Sequence, residues 1–238
     1  RGIKLVVIDD LLNRKVNCDV YINYKLDQSE KFKSNLDKFF IKNAKKLIGP
    51  KYSIFDKDLI RKDSKSFNIM FNFGNSFDYK NVTNQIKNLY KLANKKIKKF
   101  QFILPIGNGA KNYENLIKFS KNNIKLNIIF KKFGITENLN KTDLFIGSAS
   151  NAIYEMSYLK IPSIFIICNK HQNYNTADLE NLGHFFLLNI SDFRNKSFIE
   201  FFEYFFDNFN HIKKLHDNKK FNIDNKGVDR ISRIIKAI

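Results

Sequence analysis

Short apolar runs alternate along this chain with longer stretches in which apolar positions recur every three to four residues. The runs are KLVVID (4–9), DVYIN (19–23), FNIMFNF (67–73), QFILPIG (101–107), KLNIIFK (125–131), DLFIGS (143–148), SIFIIC (163–168) and HFFLLNI (184–190). Each is continuous enough to be a strand buried on both faces. Helical spacing fills Val82 to Lys99, Tyr113 to Lys121 and Ala152 to Leu159. Such βα alternation predicts an α/β fold built on a parallel sheet with right-handed crossovers.

The alternation is regular only from Phe67 to about Ile190, so IRKDSKS (60–66) reads as a linker. Three segments follow: 1–60, 61–190 as the sheet domain, and 191–238 as C-terminal helices. Ser29 to Leu47 has helical spacing but is so charged that it reads as a solvated face or an insertion. From Phe198 two aromatic-rich or amphipathic helices are expected, joined by HDNKKFNIDNKG, with Asp229 to Ile238 as a final cap.

With 238 residues and 43% hydrophobic content, the chain can bury a sizeable core. A net charge of +19 would ordinarily point to nucleic acid or an anionic surface. Here the excess is mostly Lys, travels with abundant Asn, Ile and Phe, and is spread over helix faces, as at Lys91, Lys95, Lys96, Lys98 and Lys99. That bias follows from AT-rich codons, and dispersed charge specifies no groove contact, so no nucleic-acid partner is expected. Cys18 and Cys168 stand alone in apolar runs, which argues against a disulfide or a zinc site. No run reaches the roughly 18 apolar residues of a membrane span. No signal peptide opens the chain, and a cytoplasmic protein is expected. The chain starts on Arg1 and enters a strand almost at once, so its natural beginning is expected to lie upstream.

Two corners carry candidate chemistry. Gly74, Asn75 and Ser76 follow one strand and precede a helix, and Ser148, Ala149, Ser150 and Asn151 do the same at a second strand. Small residues let a ligand approach the backbone, and the first N–H groups of a helix suit an anionic group such as phosphate. Ordinary helix capping by Ser76, Asp78, Ser150 or Asn151 is the plainer alternative. Glu155 follows one turn into the second helix, where a carboxylate can accept from both hydroxyls of a ribose, or simply face solvent. His171 sits in CNKHQN (168–173) at the end of the next strand, whereas His184, His211 and His216 read as structural or exposed. Asp9 and Asp10 end the first run and read as a cap or solvated turn.

The segments GIKLVVIDD, CDVYIN, IGPKYSI, FNFGNSFD, DLFIGSASNAIYEMSYLKIPSI and HQNYNTADLENLG occur in this order from Gly2 to Gly183. In order and spacing they resemble the UDP-2,4-diacetamido-2,4,6-trideoxy-beta-L-altropyranose hydrolases of pseudaminic acid biosynthesis, a step associated with flagellin glycosylation. The resemblance implies a GT-B fold, two Rossmann-like domains with a UDP-sugar between them, residues 1–60 being the tail of the first. It implies metal-independent hydrolysis of the bond between sugar and UDP, with no cofactor. By that resemblance Gly74, Asn75, Ser76, Ser148, Ala149, Ser150, Asn151 and Gln172 would hold UDP, with Glu155 on the ribose. The main water-activating histidine is expected ahead of Arg1, leaving His171 as the only catalytic candidate in this chain.

Three departures stand out. The family's first corner has two glycines where Gly74 and Asn75 stand, and Asn75 is expected to tolerate a left-handed backbone. An Asn-Gln pair of the family is His171-Gln172 here, and a common Arg is Asp56. The alternatives are a GT-B glycosyltransferase with a UDP-N-acetylhexosamine donor and a non-catalytic nucleotide-sugar-binding module. The oligomeric state is left open.

Overall fold

The computed structural model describes residues 2–9, 14–25, 36, 38, 40, 43–130, 135–169, 172 and 176–237. Three short parallel strands come first: β1 (Val6–Ile8), β2 (Val20–Asn23) and β3 (Lys45–Ile48), in the order β1-β2-β3. β2 is buried along its whole length, as the central strand must be. Most of 29–42 lies outside the described residues, and at the end of that segment β3 replaces the expected helix: Val20 to Asn23 pair in register with Lys45 to Ile48. Its two lysines are exposed and Leu47 is buried, a Lys-bearing edge strand whose four residues show too little periodicity to be told from a helix.

Six parallel strands form the larger sheet: β4 (Phe67–Asn72), β5 (Phe100–Ile106), β6 (Leu126–Phe130), β7 (Leu144–Ser148), β8 (Ser163–Ile167) and β9 (Phe186–Asn189). Their order is β6-β5-β4-β7-β8-β9. All six coincide with apolar runs in the sequence. The chain builds outward from β4 on one side, then returns to β7 and builds outward on the other. This is the doubly wound Rossmann order, whose switch point lies between β4 and β7.

Helices cover both faces. α1 (Thr83–Lys96) buries Ile86, Leu89, Tyr90 and Ala93, one apolar stripe at helical spacing. That stripe packs on Ile69 and Phe71 of β4, together with Leu116 of α2 (Glu114–Lys121). On the opposite face Met70 and Phe145 meet α4 (Ala152–Leu159) and α5 (Thr176–Gly183). A short α3 (Thr136–Leu139) precedes β7. α1 ends at Lys96 rather than Lys99 because Ile97 turns extended toward β5.

After β9 come α6 (Ile190–Arg194), α7 (Ser197–Asp207), α8 (Phe209–Leu215) and α9 (Gly227–Lys236). Phe198, Phe202 and Phe205 of α7 join the core of the larger sheet. α9 instead crosses back to the small sheet, where Ile231 packs with Val20, Ile22 and Leu47. Gly227 makes the close approach possible, since a Cβ there would collide with the Ser53 carbonyl. Residues 60–66 are irregular but fixed: the Ile60 and Lys62 N–H groups both donate to Asn140, and Arg61 pairs with Asp143.

Candidate functional site

The two corners are neighbours in space because β4 and β7 are neighbours in the sheet. Asn72 pairs with Gly147, the last residue before Ser148. A Cβ on Gly147 would overlap the Asn72 carbonyl oxygen, so only glycine lets these strand ends come together.

At the first corner the Asn72 side chain accepts a hydrogen bond from the Gly74 N–H (3.1 Å), and Gly74 takes the left-handed conformation, φ 98°. Asn75 has no positive φ, which corrects the expectation that it would replace a glycine in that role. Its side-chain oxygen instead accepts from the Asn108 N–H at 3.1 Å. Gly74, Asn75 and Ser76 are all exposed, and Asp78 caps the following turn through the Lys80 N–H. A second small-residue loop, Gly107 to Gly109 after β5, lies directly against Asn75 and Ser76; a Cβ on Gly107 would overlap Asn75. Sequence reasoning missed this loop, although GNG at a strand end carries the same signal as the other two corners.

At the second corner Ser148 and Ala149 are buried while Ser150 and Asn151 are exposed. The Ala149 N–H donates to the Ile166 carbonyl and the Ser150 N–H to the Ser148 carbonyl, so neither points at a ligand. The Gln172 amide bridges the corner, donating to Ser148 Oγ (2.7 Å) and accepting from the Cys168 N–H (2.8 Å). His171 and Asp10 lie outside the described residues. Neither cysteine forms a disulfide, and burial pushes the Cys168 thiol up to about 11, which leaves it protonated and inert.

The small sheet reaches this corner through Tyr24, just beyond the end of β2. Its hydroxyl donates to Asn151 Oδ1 (3.3 Å) and its ring stands edge-on to Tyr154, 5.7 Å between centroids. Asp56 enters from the same side, accepting from Thr136 Oγ1 (2.5 Å) and the Asp58 N–H (3.0 Å). Those two donors hold its carboxyl below the usual range.

Glu155, in the first turn of α4, is half-buried rather than turned to solvent, and none of its described neighbours donates a hydrogen bond to its carboxyl. Burial, with the Asp56 charge adding to it, raises that carboxyl to about 7. A carboxylate so placed lacks donors, and the hydroxyls of a ligand would supply them. Among the described residues no group of three or more His, Cys, Asp or Glu is placed to hold a metal ion, and no helix is long and apolar enough to cross a membrane.

Residues 69–226 match the glycosyltransferase family 28 C-terminal domain. The chain belongs to that family. The family match therefore runs from β4 through both corners to the threshold of α9. Among solved structures the chain is similar to Acinetobacter baumannii MurG, with a TM-score of 0.60 at 12% identity over 92% of this chain and 67% of that one. It is similar to a UDP-N-acetylglucosamine 2-epimerase (TM-score 0.59, 12% identity, 92% and 57%) and to S. aureus MnaA solved with UDP (0.57, 11%, 92% and 60%). The chain thus spans about two thirds of the first and less than two thirds of the other two. At these identities the likeness shows the fold: GT-B, with a Rossmann-like C-terminal domain. No curated protein sequence matches.

Proposed function

We propose that this chain is the nucleotide-binding part of a GT-B enzyme, and that its reaction is hydrolysis of UDP-2,4-diacetamido-2,4,6-trideoxy-beta-L-altropyranose to free sugar and UDP. The observation that carries the UDP site is the meeting of the two corners at the switch point, with the half-buried Glu155 one turn beyond. The diphosphate would lie over Gly74, Asn75 and Ser76 and against Ser148, Ser150 and Asn151 at the start of α4, where the helix dipole favours negative charge. Ala149 would contribute its small size, and Gln172 would hold Ser148 in place. Glu155 would accept from the ribose hydroxyls.

In this proposal residues 1–60 belong to an N-terminal Rossmann-like domain, 61–190 bind UDP, and 191–238 close the fold. A UDP-sugar is named for one of the similar structures, the UDP-N-acetylglucosamine 2-epimerase, and UDP for another, MnaA. That supports the nucleotide, and the sequence resemblance supports the hydrolysis and the sugar. The protein would work in the cytoplasm, without a nucleic-acid partner. Sugar transfer is the second reading, favoured by the family 28 match; it requires an acceptor in place of water.

Calorimetry of the chain with UDP, UMP and UDP-N-acetylglucosamine, each in EDTA, tests the site. Binding of UDP without a divalent ion is expected, and absence of heat with all three refutes the nucleotide reading. Release of UDP from the altropyranose substrate without an acceptor, by the chain and by a version extended upstream, then tests hydrolysis against transfer.

A further inference from the structure

At the other end of α4, one helix length or about 12 Å from the corner, the fold leaves a second concavity. It has a volume of about 400 Å³ and is lined by Lys160, Asn210, Lys213, Lys214, His216 and Asp217. That volume falls within the range of small-molecule sites. Lys160 ends α4 in the left-handed conformation, φ 55°, which turns the chain at its rim. Lys213 and Lys214 come from the last turn of α8, and His216 and Asp217 from the 3-10 turn that follows.

Three lysines face one carboxylate. The only ion pair among these residues joins Lys160 and Asp217 at 3.5 Å, and with both side chains more than half exposed it neutralises little. His216 is different. It is 2% exposed, it packs edge-on to Phe185, and neither of its ring nitrogens has a hydrogen-bond partner. A buried polar group left unsatisfied costs about 1–3 kcal/mol, and a position that carries such a cost calls for an explanation.

The groups that face His216 are Lys219, His184 and Lys160 on the positive or neutral side and Asp217 on the negative. Burial first, and then the Lys219 charge, lowers the imidazole to about 4, so it is neutral and offers one donor and one acceptor. Lys219 is itself lowered to about 8 by burial and is occupied, donating to the Ser157 carbonyl at 2.6 Å.

We propose that this concavity binds the phosphate monoester of a small hydroxylated molecule, such as a sugar phosphate. Lys160, Lys213 and Lys214 match a doubly charged phosphate. His216 closes the inner wall beneath them, and Asn210 and Asp217 suit the hydroxyls of the attached group. The cavity is too large for a phosphate ion alone. The site is separate from the nucleotide corner and does not rest on the reading of that corner.

The test uses the full chain at fixed ionic strength, with glucose 1-phosphate, inorganic phosphate and glucose as probes, read by calorimetry and by the His216 ring-proton resonance. Glucose 1-phosphate should bind more tightly than phosphate, glucose should not bind, and the bound anion should raise the His216 pKa. The exposed double variant Lys213→Ala/Lys214→Ala, with an unchanged unfolding midpoint, should weaken glucose 1-phosphate by at least about tenfold, the loss of roughly one charged hydrogen bond. No binding of glucose 1-phosphate, or binding indifferent to the double variant, overturns the site. Equal affinity for phosphate and glucose 1-phosphate overturns the hydroxylated ligand.

Discussion

Gly147 lies against the carbonyl of Asn72, its pairing partner across the two central strands, with no room for a side chain between them. The whole candidate site hangs on that approach. It brings the loop after β4 to the loop after β7 at the one place where the order of the sheet reverses. Gly147→Ala is expected to destabilise the chain by about 1–3 kcal/mol, because backbone on a central strand cannot shift aside. A urea midpoint equal to that of wild type would refute it.

Glu155→Gln should weaken UDP binding by about 1–3 kcal/mol, the range for a charged hydrogen bond. In the wild type the ribose hydroxyls require the ionised carboxylate, whose free-state pKa is about 7. Uridine affinity should therefore fall below that pH, by up to about tenfold per unit, and should be flat in the variant. Calorimetry with uridine on either side of pH 7 checks both. A flat wild-type profile would return Glu155 to a structural role.

Glu155 and His216 pull stability in opposite directions with pH. The Glu155 carboxyl is raised from 4.5 to about 7, so its contribution is full below 4.5 and is lost as pH rises through 7. The His216 imidazole is lowered from 6.5 to about 4, so its contribution is full above 6.5 and is lost as pH falls through 4. Between pH 5 and 7 the two partly cancel. Removing Glu155 with Gln should leave a chain whose stability rises over that interval more than wild type, and His216→Gln should give the reverse. Urea titrations at the two pH values separate them, and superimposable profiles for all three proteins would refute the assignment.

Gln172→Ala removes the bridge between Ser148 and the end of β8. A loss of about 1–2 kcal/mol of stability is expected for two hydrogen bonds, together with weaker UDP binding as Ser148 loses its orientation. Unchanged UDP affinity would show that Ser148 needs no such support.

Ile231→Ala tests the return of α9 to the small sheet. Ile231 is buried against Val20, Ile22 and Leu47, and its truncation should cost about 2–5 kcal/mol. Hydrogen exchange should accelerate in β1, β2 and β3 and remain slow in β4 and β7. Uniform acceleration through both sheets would show instead that the two unfold as one.

The sequence alone determined every strand of the large sheet, because continuous apolar runs are a local signal and both faces of such a sheet are covered. It also placed both corners, since small residues between a strand and a helix are legible without knowing where the strand sits. Tertiary structure decided the rest. That β4 and β7 are neighbours follows from the crossovers, not from any residue in either run. β3 was hidden because four residues with two lysines become a strand only by pairing with β2. Asn75 was legible as a turn residue, but which position turns left-handed depended on the Asn72 side chain holding the Gly74 N–H. Glu155 was legible as a candidate ribose acceptor or a solvent-facing residue and His216 as a structural or exposed one, but the environment of neither was legible. Their burial, and hence their displaced pKa values, comes from what other segments lay over them, and no periodicity within their own segments encodes that.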